Sequence, residues 1–286
     1  MLKLYKYQGA GNDFLIADNR DGTIEFRDGM LYSSLSGKAK SVADICDRRY
    51  GVGADGLMLL ENSGSYDFRM TYFNSDGSGG MMCGNGGRCI VAFAADMGLD
   101  HFDFEAADGF HTAEILKAEG NAKTVRLKMK DVSDICMYDS LSNVSVHSEG
   151  CFLDTGTRHF VSFVSGLEDY DVVSEGREIR YNAAELQPSG ANVNYVEPYE
   201  GGIKVRTYEK GVEDETFACG TGIVASCISA YMKGIAPSSR EGDRIRYEVK
   251  ARRDMLAVDF RVSEFVEDVW LTGPAAFVAE ILLCDL

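Results

Sequence analysis

Apolar and polar residues alternate from Leu2 to Tyr7 and, after the turn cluster Gln8-Gly9-Ala10-Gly11-Asn12-Asp13, a second strand-like run covers Phe14 to Ala17, so a hairpin is predicted at the start. Ala39 to Tyr50 carries Val42, Ile45, Cys46 and Tyr50 near helical spacing and predicts a helix stopped by Gly51. Leu57 to Leu60 reads as a short strand, Asp67 to Phe73 as one whose end presents Asn74, and Ser75 to Gly80 as a flexible loop. A helix then runs from Cys83 to a stop at Gly98, followed by strands at Phe102 to Ala106, His111 to Lys117 and Thr124 to Met129 that would close a curved sheet around it. The plan repeats with strands at Phe152 to Thr155 and Phe160 to Val164 about the turn Gly156-Thr157-Arg158-His159, a helical patch at Ala183 to Leu186, and strands at Ala191 to Val196 and Ile203 to Tyr208. The second long helix, Gly222 to Tyr231, holds no charged residue, so other structure must wrap it on every side. Strands at Ile245 to Val249, Met255 to Val262, Val269 to Thr272 and Phe277 to Leu283 supply that wrapping.

The repetition reaches single residues. Tyr72-Phe73-Asn74 and Met82-Cys83-Gly84-Asn85-Gly86-Gly87-Arg88 return as Tyr208-Glu209-Lys210 and Ala218-Cys219-Gly220-Thr221-Gly222, with the two cysteines 219 − 83 = 136 positions apart. At that offset Thr71 meets Thr207, Tyr72 meets Tyr208, Gly84 meets Gly220, Gly86 meets Gly222 and Gly98 meets Gly234. A duplicated strand-turn-helix unit in 286 residues predicts two similar α/β (α+β) domains, residues 1–130 and 131–272. Each cysteine falls at a helix N-terminus, where unpaired N–H groups and the positive dipole end favour a thiolate, and the glycines let a carboxylate approach the same donors.

Composition narrows the partners. A net charge of −16, with no basic cluster longer than Arg48-Arg49 or Arg252-Arg253, argues against nucleic acid or an anionic membrane and for a small-molecule substrate. No apolar run approaches the ~18 residues of a membrane span, and the start lacks a signal-peptide core, so a cytoplasmic protein is expected. The eight cysteines are scattered without a C-x-x-C pair, so no zinc site is expected, and those other than Cys83 and Cys219 are expected in the core. Gly51-Val52-Gly53-Ala54-Asp55-Gly56 matches a dinucleotide fingerprint in letters only, because a helix precedes it and a short strand follows.

Gly11-Asn12-Asp13-Phe14, Asn74 through Arg88, Asn192-Val193-Asn194, Glu209 through Gly222 and Leu271-Thr272-Gly273-Pro274-Ala275 together resemble the diaminopimelate epimerase family over nearly the whole chain. The resemblance implies two pseudo-symmetric domains, each a curved mixed sheet around a central helix, with the active site between them and residues 273–286 returning to the first. It implies inversion of one α-carbon of LL-diaminopimelate to the meso form, a lysine and cell-wall precursor, with neither pyridoxal phosphate nor metal. Cys83 and Cys219 would be the acid/base pair, His159 and Glu209 would adjust the thiols, and Asn12, Asn74, Asn192, Glu209 and Lys210 would hold substrate. The N–H groups around Gly84, Asn85, Gly220 and Thr221 would bind its carboxylate. A homodimer is one expected assembly.

Gln8, Gly56, Thr157 and Lys210 depart from the family pattern, and Lys210 offers a point charge where an arginine offers a planar fork. Two other readings stay open: a racemase or isomerase of another amino acid on the same scaffold, and a non-enzymatic thiol switch or amino-acid-binding protein.

Overall fold

The computed structural model describes residues 2–80 and 82–284, so Met1, Met81, Asp285 and Leu286 of the expected N-terminal domain lie outside the described residues. The chain forms two compact units, residues 1–127 with 274–286, and residues 128–273.

In the first unit β1 (Leu2–Gly9) and β2 (Asn12–Asp18) make the opening hairpin. A small separate sheet of β3 (Ile24–Arg27), β4 (Met30–Ser33) and β5 (Lys38–Ser41) follows, and then the short helix α1 (Val42–Cys46). β6 (Gly56–Glu61) runs parallel to β2, and β7 (Phe68–Asn74) antiparallel to β6. After α2 (Gly84–Asp96) come β8 (Asp103–Ala106), parallel to β7, and the antiparallel β9 (Gly109–Glu119) and β10 (Ala122–Lys128). The last strand of the chain (Val266–Leu283) pairs with both β10 and β1, closing a ring of eight strands among the described residues. Inside it α2 is buried from Gly84 through Ala94.

The second unit repeats this order. β11 (Ile135–Tyr138), β12 (Gly150–Asp154) and β13 (Arg158–Phe163) are antiparallel neighbours. Beyond α3 (Val172–Asn182), β14 (Asn192–Tyr199) runs parallel to β13, and β15 (Gly202–Glu209) antiparallel to β14. β16 (Asp214–Thr216), α4 (Gly220–Met232) and β17 (Ser239–Glu241) lead to β18 (Arg244–Lys250), parallel to β15. β19 (Met255–Val262) and β20 (Val266–Leu283) complete the sheet, with residues 266–273 of β20 in this unit. The succession of parallel and antiparallel pairs from β12 to β20 is the same as from β1 to β10. α4 is buried from Gly220 to Ala230 apart from Thr221, as its lack of charge requires. The expected α/β fold of two related sheet-on-helix units is thus the fold observed.

The strand register corrects the residue-level match. Leu57 pairs with Phe73, and Val193 with Tyr208. Leu57, Leu59 and Phe73 share one apolar cluster with α1, and Val193, Tyr195 and Tyr208 share another with α3. The structural counterpart of Tyr208 is therefore Phe73, which puts Tyr72 opposite Thr207 and Asn74 opposite Glu209 in the duplication. The Thr-Tyr identity in the sequence is one residue out of register, and on a strand one residue exchanges the two faces.

Four further elements differ from the sequence reading. The helix expected over Ala39 to Tyr50 is only Val42–Cys46, because the Asp47 carboxylate accepts the N–H groups of Arg49 and Tyr50 at 2.7 and 2.6 Å and turns the chain out. α3 precedes the expected helical patch. It buries only Val172, Gly176 and Ile179, a narrow stripe that reads as polar sequence, while residues 184–186 form a 3₁₀ turn. The loop after Asn74 is a bonded turn, with Asp76 accepting both the N–H and the hydroxyl of Ser78. Gly273-Pro274 does not interrupt β20; Pro274 sits where the strand leaves the second unit's residues for the first's.

Phe73 is 3% exposed and closes the cluster over α1. Replacing Phe73 by Ala is expected to cost about 3–5 kcal/mol in a urea melt of the first unit.

Candidate active site

Cys83 is the N-cap of α2 with extended backbone angles (φ −113°, ψ 153°), and its sulfur accepts the Gly86 N–H at 3.3 Å. The sulfur thus takes one of the helix's orphan donors, a role usually filled by a side-chain oxygen. Asn85, in the same first turn and buried, donates from Nδ2 to Asn12 Oδ1 at 2.6 Å and accepts from Arg88 Nη2 at 2.7 Å. Asn12 in turn donates to Asp55 Oδ2 at 2.9 Å, and Arg48 joins Asp55 to Asp13 through ion pairs of 2.6 Å. Arg88 is wholly buried and also donates to the carbonyls of Gly84 and Pro274. Asn74 ends β7, with its amide donating to Ser78 Oγ at 3.0 Å.

Cys219 is the N-cap of α4 (φ −102°, ψ 113°), 9% exposed, with its sulfur 3.4 Å from Thr221 Oγ1. Thr221 Oγ1 lies 2.9 Å from His159 Nε2 and 3.0 Å from Thr157 Oγ1, and Thr157 Oγ1 is itself 2.9 Å from the same nitrogen. The tautomer follows from the network. Asn194 donates from Nδ2 to the Phe160 carbonyl and accepts Thr207 Oγ1 on Oδ1, so its amide faces His159 Nδ1 as a donor at 3.0 Å. Nδ1 is then the acceptor and Nε2–H the donor towards the two threonine hydroxyls. A Thr221 hydroxyl that accepts from His159 retains its own proton for the Cys219 sulfur, which favours the thiolate form. Burial pushes the His159 imidazole down to about 3, so it is a neutral donor near pH 7. Gly222 must lack a side chain, since a Cβ there would lie 2.3 Å from Asn194 Oδ1 and 3.2 Å from His159 Cε1.

Asn192, the counterpart of Gly56, is buried with both ends of its amide in use, donating to the Arg158 carbonyl at 3.0 Å and accepting the Lys210 N–H at 2.8 Å. Glu209 accepts from Thr216 Oγ1 at 2.8 Å, and the Lys210 side chain is exposed. The first unit therefore gathers Asn12, Gly84 and Asn85 at the start of α2 with Cys83, with Asn74 at an adjoining strand end, and the second gathers His159, Gly220 and Thr221 at Cys219, with Asn192, Glu209 and Lys210 at adjoining strand ends.

Sequence reasoning missed Arg88, Asp55 and Arg48, which fix Asn85 and Asn12, and also Asn194 and Thr207, which fix His159. Asn194 was within reach, because it stands two residues after Asn192 and so on the same face of the strand. Thr157, marked as a departure, proves to be part of the hydroxyl cluster. Cys46, Cys89, Cys151 and Cys227 are buried as expected, but Cys136 and Cys284 are exposed: β11 has no buried position, and Cys284 lies just beyond the end of β20.

A family model described as diaminopimelate epimerase matches residues 4–133. A protein of that name from Flavobacterium psychrophilum is 40% identical over 283 residues, 98% of this chain and 99% of the relative. Its namesake from Chlorobaculum tepidum is 41% identical over 94% of this chain and 96% of its own. Among solved structures, a PhzF-family phenazine biosynthesis protein from Bacillus anthracis superposes with a TM-score of 0.69 at 16% identity, covering 99% of both chains. A hydroxyproline epimerase from Agrobacterium vitis gives 0.65 at 14% identity, over 98% of this chain and 90% of its own. At those identities the likeness is one of fold.

Two outcomes are expected at Cys219 and His159. Thr221→Val removes the hydroxyl aimed at sulfur and should slow iodoacetamide alkylation of Cys219 at neutral pH by about tenfold. Below an unfolded-state value of about 6.5, the unfolded chain takes up a proton that folded His159 refuses until about 3. Stability from this group is therefore full above about pH 6.5 and falls as pH drops towards 3. The stability advantage of the parent over His159→Asn should shrink between pH 7 and 4 in denaturant melts.

Proposed function

The chain belongs to the diaminopimelate epimerase family, and from that premise we propose that it interconverts LL- and meso-diaminopimelate, with Cys83 and Cys219 as the two acid/base groups. The family's chemistry is that of an isomerase. The observation that carries the residue assignment is the paired capping: two cysteines, one in each copy of the fold, occupy the same N-cap position on two buried helices.

Inverting a stereocentre by proton transfer requires a base on one face of the α-carbon and an acid on the other. One sulfur enters as thiolate and takes the α-proton, and the C–H electron pair stays on carbon. The other enters as thiol and returns its proton to the opposite face. Turnover thus exchanges the two protonation states, and the reverse reaction begins from the exchanged pair. Carbanion charge spreads into the substrate α-carboxylate. N–H groups in the first turns of α2 and α4, at Gly84-Asn85 and Gly220-Thr221, are the donors assigned to it, and they strengthen as that charge grows. His159 acts on Cys219 through Thr221 as a positioning residue. Asn74 and Glu209, equivalent in the duplication, offer an amide and a carboxylate to the substrate's polar ends, with Lys210 assigned to the distal carboxylate. Asn12 and Asn192, whose amides are already bonded within the protein, shape the substrate's surroundings and contact it with their remaining hydrogen-bonding capacity. The same reading carries a cytoplasmic location and a homodimer, the latter checked by light scattering.

In D2O under reducing conditions the parent should exchange the α-hydrogen of LL-diaminopimelate and form the meso isomer. Cys83→Ala and Cys219→Ala should each lose inversion by about 10²- to 10⁴-fold or more. A folded, reduced parent that neither exchanges nor inverts this substrate would overturn the assignment.

A further inference from the structure

Tyr72 lies on the face of β7 that it shares with Asn74. Gly56 pairs with Asn74, and Met58 with Tyr72, so these four positions share the inward face of the sheet. Inward is towards the first turn of α2: a Cβ on Gly86 would lie 3.6 Å from Phe14 Cζ and 3.7 Å from Met58 Sδ, as well as 3.2 Å from the Cys83 sulfur. The Tyr72 ring packs edge-on against Phe14 with centroids 6.0 Å apart. It also leans across to the next strand. A Cβ on Gly56 would come within 2.4 Å of Tyr72 Cε2 and 2.7 Å of its hydroxyl. On the other side, a Cβ on Gly80 would lie 2.2 and 2.3 Å from Cδ1 and Cε1. Two glycines thus flank the ring, and the hydroxyl ends beside Gly56, at the level of Asn74.

We infer that Tyr72 is a substrate-contacting residue, its phenol donating a hydrogen bond to a carboxylate oxygen of the amino-acid substrate from the space that Gly56 leaves without a side chain. The inference rests on the proposed function and adds to it a specificity-determining group. Three features support it. The hydroxyl has no hydrogen-bond partner among the described residues, and the residue is not fully buried. Its surroundings favour the protonated form, since burial first, and then the neighbouring Cys83 and Asp55, push the phenol well above its ordinary range, so it remains a donor wherever the thiols work. Its counterpart in the second unit, Thr207, spends its hydroxyl on Asn194, whereas that of Tyr72 is unspent.

Tyr72→Phe keeps the ring between the two glycines and removes only the hydroxyl. For LL-diaminopimelate it should raise KM about tenfold or more with a smaller effect on kcat, and leave the thermal midpoint unchanged. In parallel, the ligand concentration that half-protects Cys83 from iodoacetamide should rise by a similar factor. Gly56→Ala, which displaces the ring, should reproduce the loss, and the double variant should be no worse than the more impaired single one. If the parent epimerises and Tyr72→Phe matches it in KM, kcat and protection, Tyr72 only packs and the inference falls while the epimerase reading stands. If the parent neither turns over nor is protected by diaminopimelate, both fall.

Discussion

Everything in this protein depends on a helix start that has to be satisfied inside a ring of strands. An α-helix leaves its first N–H groups without partners, and at the surface water takes them. α2 and α4 begin in buried surroundings, with Gly84 to Arg88 and Gly220 and Gly222 all shielded from solvent. Cysteine occupies the capping position at both. In α2 the sulfur takes the Gly86 N–H directly, and the glycines that follow keep side chains away from the remaining donors. A sulfur held at a helix N-terminus, where an N–H reaches it, is favoured as a thiolate. The same geometry that ends the helix sets the chemistry of its first residue.

The two copies share a backbone and differ in what lies beneath each sulfur. Under α2 the inward positions are Phe14, Met58 and Tyr72. The corresponding positions under α4 are His159, Asn194 and Thr207, joined by hydrogen bonds that lead through Thr221 to Cys219. One thiol rests on a floor that is apolar but for the Tyr72 hydroxyl, and the other on a polar one. A single duplicated scaffold therefore supplies two sulfurs in unlike surroundings, which suits a reaction in which one must be charged while the other is not.

Much of this was legible in the sequence because the chemistry repeats: the cysteine caps, the glycines and the uncharged second helix all announce themselves locally. What was not legible depended on register and on narrow stripes. The Thr-Tyr identity at 71–72 and 207–208 suggested an ungapped match, yet only the strand pairing shows that Phe73 and Tyr208 are equivalent. Composition cannot see a one-residue slip, although the slip decides which side chain faces the helix. Arg88 stood in the cysteine motif without an assigned role, because its burial and its bond to the distant Pro274 carbonyl exist only once the sheet has closed. α3 was missed since three buried positions in eleven leave little apolar signal.

The last strand carries a consequence for the making of the protein. The first unit's ring is completed by β20, which pairs with β1 at one edge and β10 at the other. During synthesis α2 and the sheet around it emerge long before that strand exists, so the ring stays open along one seam while the entire second unit is being translated. Two unpaired strand edges beside an apolar helix are the kind of surface on which nascent chains associate. The first half of the molecule to be made is the last to be closed.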